Sequence, residues 1–163
     1  MAARRRRPAR TLSEELKLSR PFPSEGTEAY LSLVRTAHLL QDEVAALLRT
    51  QDLSLPQYNV LRILRGAGDT GLPCLGVGER MVARVPDVTR LIGRLEDRGL
   101  VYRERSQTDR RVVTVRITPD GLDRLAQLDD PVRELHDGQL GALSAKEQKV
   151  LLDLLQRLRA PRE

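Results

Sequence analysis

The stretch "RLEDRGLVYRERSQTDRRVVTVRIT" (94–118) constrains the fold more than any other part of the chain. Helical spacing runs up to Gly99 and stops there, since glycine is the usual residue just past a helix end. β-forming residues begin at once: 100–105 and 112–118 read as two strands, and Val113, Val115 and Ile117 share one face at period two. Between them lies a short polar break rich in arginine. Such a chain must fix a two-stranded ribbon with a cationic tip to the end of a helix.

The remaining pattern is helical. From Ser24 to about Thr50 an apolar stripe recurs every three or four residues through Tyr30, Leu33, Val34, Ala37, Leu40, Val44 and Leu47. Ser54 and Pro56 suit a second helix start, and that helix stops at Gly66, where "GAGDTG" forms a turn. A short helix is expected over 75–81, and another from Pro86, with Asp87 in its first turn and Leu91, Ile92 and Leu95 on its buried face. Thr118 and Pro119 open a further helix to about Leu143, with a kink expected at Pro131. The last helix begins on a capping box, Ser144 to Glu147, and carries the stripe Val150, Leu151, Leu154, Leu155 and Leu158. Residues 1–23 lack periodicity and read as a flexible basic arm, with room for a short helix at 12–18, ahead of a single domain over 24–163. The expected class is mainly α with a small β-ribbon.

Charge is focused, not spread. The chain carries a net +5, and residues 1–10 alone contribute five arginines and no acid. Residues 84–116 add nine arginines against five acids, which leaves the rest of the chain acidic. Focused positive charge suits a polyanion, most simply nucleic acid, whereas a solvated charged face is the bland alternative. No apolar run approaches the ~18 residues of a membrane span, and the basic start has no apolar stretch after it to make a secretory signal. The lone Cys74 excludes an internal disulfide framework and fits a cytoplasmic protein.

Helix, helix, short turn, helix and then ribbon describe a winged helix-turn-helix. A major groove admits one helix, whose first turns read base edges. On the helix from Pro86, the polar positions Thr89, Arg90 and Arg94 point away from the apolar face, and Arg90 is placed for a bidentate contact to guanine. The ribbon's arginine tip, with Arg110 and Arg111, would reach the neighbouring minor groove, where A·T stretches concentrate negative potential.

The segments "VTRLIGRLEDRGLV" (88–101), "DRRVVTVRIT" (109–118) with the following "PDG", and "LSLPQYNVLRIL" (53–64) resemble the MarR-type transcriptional regulators. The resemblance covers about 27–160, with the winged region at about 54–118 and the long helices at about 24–50 and 119–160. It implies a homodimer built by the terminal helices, binding pseudo-palindromic double-stranded DNA and usually repressing. It implies that Arg111 enters the minor groove and that Asp109 orients an arginine. It also implies a small phenolic or anionic effector, or an oxidant. Here the residues say less. Oxidant sensors of the family carry their cysteine near the start of the first long helix, whereas Cys74 lies at the entry to the third, between Leu72 and Leu75, which favours a buried structural thiol. Urate-responsive members use a tryptophan, and the chain has none. His38, at the border of the first long helix's stripe, could touch a ligand or be a surface histidine, and His136 reads as a surface histidine.

Enzyme chemistry finds no constellation. "GVGERM" (76–81) has two glycines of a dinucleotide loop but Met81 in place of the third, with no strand before it. Two isolated histidines and one cysteine make no metal-ligand spacing, and no cofactor is expected. The rival reading is an architectural or RNA-binding winged helix without strong sequence preference; long amphipathic terminal helices would be superfluous in such a monomeric module.

Overall fold

The computed structural model describes residues 10–105 and 113–160. The described residues up to Asp42 form one compact unit and those from Glu43 onward another. In the first, a short helix α1 (Leu12–Glu15) starts on a Thr11 capping box, and Glu15 pairs with Arg35 at 3.8 Å. Arg35 belongs to α2 (Glu25–Leu48), which spans the boundary and passes at Arg49–Gln51 into a single 3-10 turn. Asp52 closes that turn in the left-handed region, at φ 53°.

The second unit holds the core. Ser54 caps α3 (Leu55–Ala67): its hydroxyl accepts from the Gln57 amide while the Gln57 side chain accepts from the Ser54 amide, so two orphan donors are satisfied together. After β1 (Leu72–Pro73) come α4 (Cys74–Glu79) and α5 (Val88–Glu96), then β2 (Val101–Arg105), β3 (Val113–Ile117), α6 (Pro119–Leu140) and α7 (Ala145–Arg159). Val60, Leu61 and Leu64 of α3, Val77 of α4, and Leu91, Ile92 and Leu95 of α5 fill one aliphatic core. Leu100, Val101 and Val115 close it from the sheet side, and Leu125, Leu128 and Val132 of α6 complete it. Burying one such side chain is worth roughly 1.5–3 kcal/mol, which is why the 3.6-residue spacing of these positions decides how the helices turn.

The expected two-stranded ribbon proves to be a three-stranded antiparallel sheet in the order β1-β3-β2. β1 is only two residues long, and Leu72 pairs with Val115 and Pro73 with Thr114. Gly71 makes this pairing possible. Its φ is +62°, and a Cβ there would lie 2.5 Å from the Val115 carbonyl oxygen. At the other end of α5, Gly99 takes φ +68° and ends the helix as expected. Its amide bonds the Glu96 carbonyl at 2.8 Å and the Leu100 amide bonds the Leu95 carbonyl at 3.0 Å, the paired bonds of a Schellman ending.

α4 begins and ends earlier than the 75–81 expected, with Pro73 at its N-cap and Arg80 at its C-cap. α6 runs on through Pro131, where a kink was expected, and ends at Leu140. Thr118 caps α6 and Ser144 caps α7, as the sequence indicated. α7 has no fully buried residue, and Val150, Leu152, Leu154 and Leu158 are exposed on it. Tyr30, Leu33 and Leu39 of α2 are exposed as well.

Candidate nucleic-acid interface

α5 sets the site. The sequence suggested a helix from Pro86 with Asp87 inside its first turn; instead Pro86 precedes the helix and Asp87 is its N-cap. The Asp87 Oδ1 accepts from the Arg90 amide at 2.8 Å. An acid in that place satisfies an otherwise orphaned donor and complements the positive end of the helix, so the carboxylate holds the first turn in shape. From there Val88, Leu91, Ile92 and Leu95 turn inward, while Thr89, Arg90 and Arg94 are exposed, as their spacing predicted. Among the described residues, neither the Arg90 nor the Arg94 guanidinium has an ion-pair or hydrogen-bond partner. Each presents its donor fork to solvent.

The turn before α5 is held from α3: the Asn59 Oδ1 accepts from the Val82 amide at 2.9 Å, leaving the Val82 side chain 90% exposed. Arg80 and Arg84 are exposed on the same turn. Nothing in the sequence marked Asn59, because its partner lies 23 positions on and is a backbone group.

After α5, β2 and β3 pair from Val101↔Ile117 to Arg105↔Val113, so the two strands run antiparallel toward the segment 106–112. Asp109, Arg110 and Arg111 lie outside the described residues. Several arginines that the charge count treated alike have internal partners. Arg98 donates to the Asp52 carbonyl at 2.7 Å, and Arg116 pairs with Glu104 at 3.3 Å. Arg103 bonds both Glu96 and the Thr89 carbonyl. The outward cationic set on α5 and its leading turn therefore narrows to Arg80, Arg84, Arg90 and Arg94, a smaller number than the sequence offered.

Behind the site, Arg65 of α3 grips Asp129 of α6 with two bonds of 2.7 Å, a bidentate pair. Hydrogen bonding from Arg65 holds the Asp129 carboxyl below the usual carboxylate range, and the same bond raises the Arg65 pKa. Arg62 lies 5.7 Å from the Tyr58 ring centre and donates to its hydroxyl.

The candidate sensing residues fall in different units. His38 is exposed in the first unit; Cys74 is half-buried against the core of the second, opening α4. His136 is exposed, with Nδ1 3.2 Å from the Gln139 Oε1. A shallow open cavity of about 360 Å³ is lined by Ala45, Arg49 and the segment 52–55. Among the described residues, no three metal-binding side chains gather, and no helix is long and apolar enough to cross a membrane.

Comparison with known proteins places this geometry. The MarR family model matches residues 53–113, from just before α3 to the first residue of β3. The transcriptional regulator HosA of Escherichia coli O127:H6 is 33% identical over 108 residues, 66% of this chain and 78% of that protein. The crystal structure of a MarR transcription factor from Planctomyces limnophilus shares 43% identity over 83% of this chain and 98% of its own, with a TM-score of 0.62. The PcaV transcriptional regulator from Streptomyces coelicolor, in complex with its natural ligand, shares 26% identity over 86% and 96% of the two chains, with a TM-score of 0.67. With its winged helix-turn-helix and this degree of likeness, the chain belongs to the MarR family of DNA-binding transcriptional regulators.

Proposed function

We propose that the protein is an effector-responsive repressor that binds a pseudo-palindromic DNA operator as a homodimer. The observation that carries this reading is the outer face of α5, where Thr89, Arg90 and Arg94 stand exposed on a helix anchored by a fully apolar inner face. Arg90 makes a bidentate contact to guanine O6 and N7, and Thr89 and Arg94 contact neighbouring bases or phosphates. Asp87 serves by holding the first turn, with Pro86 leading into it. From the segment between β2 and β3, Arg110 and Arg111 enter the minor groove, with Asp109 orienting an arginine.

The apolar residues left exposed on α2 and α7 support the homodimer, since water contact at leucines is costly and a second chain removes it. Two copies then present two α5 helices to successive major grooves, which gives the operator its symmetry. The effector is a small phenolic or anionic molecule. The ligand-bound PcaV supports an effector as such, and the cavity beside Arg49 offers a cation for an anionic one. His38 and Cys74 remain the candidate sensing residues, with geometry favouring a packing role for Cys74.

Selection of binding sites from random duplexes tests the reading. The expected product is a consensus with two-fold symmetry and half-sites one helical turn apart. Duplexes recovered with no shared sequence would favour an architectural protein, and preferential recovery of RNA in a parallel selection would favour an RNA-binding one.

A further inference from the structure

Arg103 on β2 is half-buried and reaches back along α5 from Glu96 to Thr89. Its backbone amide donates to the Glu96 Oε1 at 3.0 Å, and its Nη1 donates to the Glu96 Oε2 at 2.5 Å. Its Nη2 donates to the Thr89 carbonyl at 3.1 Å. Between these two ends the guanidinium passes near Gly93, where an added methyl group would lie 3.9 Å from Nη2, an ordinary van der Waals contact. One side chain thus ties the middle of β2 to the last turn of α5 and to its first turn, where the exposed Thr89 and Arg90 stand. The ion pair is only about a third exposed, so solvent screens it less than it screens the outer arginines.

We propose that Arg103 is a positioning residue that sets the register between the base-reading helix and the ribbon, through a fork shared by Glu96 and the Thr89 carbonyl. The proposal rests on the reading of α5 as the base-reading helix. Arg103 touches no DNA in this scheme. Two elements that must enter adjacent grooves at once need a fixed angle between them, and Arg103 adds a polar tie along α5 to the apolar packing and the bonds at Gly99. The planar fork, with donors aimed in two directions, suits this task in a way that a lysine ammonium does not. Without it, α5 keeps its cap, its apolar anchor and its base preference, while the ribbon loses its fixed placement.

The test compares wild type, Arg103→Lys and Arg103→Gln by site selection and by binding to duplexes that differ only in the bases flanking the helix-read positions. Lost fold alone lowers binding to every duplex by one factor; a loosened ribbon changes the ratio between flanks. Arg103→Gln should keep the helix-read consensus and lose roughly tenfold in flank preference, in the range for residues that couple two sites without touching the ligand. Arg103→Lys, which can keep one bond to Glu96 but not the fork, should fall between. Should the glutamine variant fail to fold, the lysine variant decides: wild-type flank preference in it overturns the proposal. So does an equal loss at helix-read and flanking positions in either folded variant. If wild type itself selects no sequence, the base-reading function fails while the tie is still decided on the free protein. Amide exchange over 88–105 should then quicken in Arg103→Lys relative to α6, and unchanged exchange overturns it.

Discussion

Arg90 and Arg103 belong to the same arginine-rich segment, and partners alone separate their roles. Arg103 spends its donors inside the protein, while Arg90 has none of its side-chain donors engaged among the described residues. Arg90→Ala should therefore cost roughly 1–3 kcal/mol on the selected operator and relax discrimination at one position per half-site, measured against a scrambled duplex. An equal loss on both duplexes would show that α5 does not read sequence. Asp129 tests a different kind of residue. Its pKa is lowered in the folded chain by the bond from Arg65, so the stabilisation is present above the unfolded carboxylate pKa and is lost as pH falls through the folded value. Denaturant midpoints of wild type and Asp129→Asn should differ at neutral pH and converge in acid. A gap that stays constant with pH would remove the ion pair as its cause. The side chain is nearly half exposed, so the effect is small.

Among elements, the two-residue strand β1 has the sharpest requirement. Gly71 combines a left-handed backbone with a carbonyl oxygen where a Cβ would go. Gly71→Ala should destabilise by about 1–3 kcal/mol or more, since both strain and overpacking act, and the damage should begin in the sheet. Thermal unfolding reads the total, and amide exchange at 113–117 reads its location; a variant as stable as wild type would mean that β1 adds nothing to the sheet. The ribbon and α5 meet through Gly99, and there the helix-ending signal in the sequence and the observed paired bonds agree. The basic arm is an element of another sort, whose value lies in charge. Deleting residues 1–10 should flatten the salt dependence of DNA binding while the selected consensus stays the same, because phosphate contacts release counterions without reading bases. A changed consensus would assign the arm a base contact.

At the scale of the molecule, the core of the second unit satisfies α3, α5 and α6, yet α7 has no fully buried residue. Leu154 and Leu158 are 46% and 68% exposed, so aspartate at both costs little inside one chain. If α7 packs between two chains, the double variant should lose the dimer in analytical ultracentrifugation and melt at lower temperature, because dimer formation and stability are linked. A variant that sediments and melts as wild type would exclude α7 from the interface. Such a dimer also fixes the distance between two α5 helices, the quantity that operator spacing reports.

Most of the fold was legible because its signals are local. Ser54, Thr118 and Ser144 cap their helices, Gly99 ends α5, and Leu91, Ile92 and Leu95 face inward. Each of these depends on neighbours within about four residues, a reach set by helix geometry. The exposed trio Thr89, Arg90 and Arg94 followed from the same periodicity. Asp87 shows the edge of that legibility: an acid suits either the cap or the first turn, and one residue of offset decides which. What tertiary structure alone decided are the pairings across distance. β1 joins a sheet that strand periodicity presented as a ribbon, since two residues carry no periodic signal. Arg98 finds Asp52 across 46 positions, and Arg65 finds Asp129 across 64. In the sequence every arginine carries the same charge; only packing brings some of them against a carbonyl or carboxylate and leaves Arg90 and Arg94 facing water.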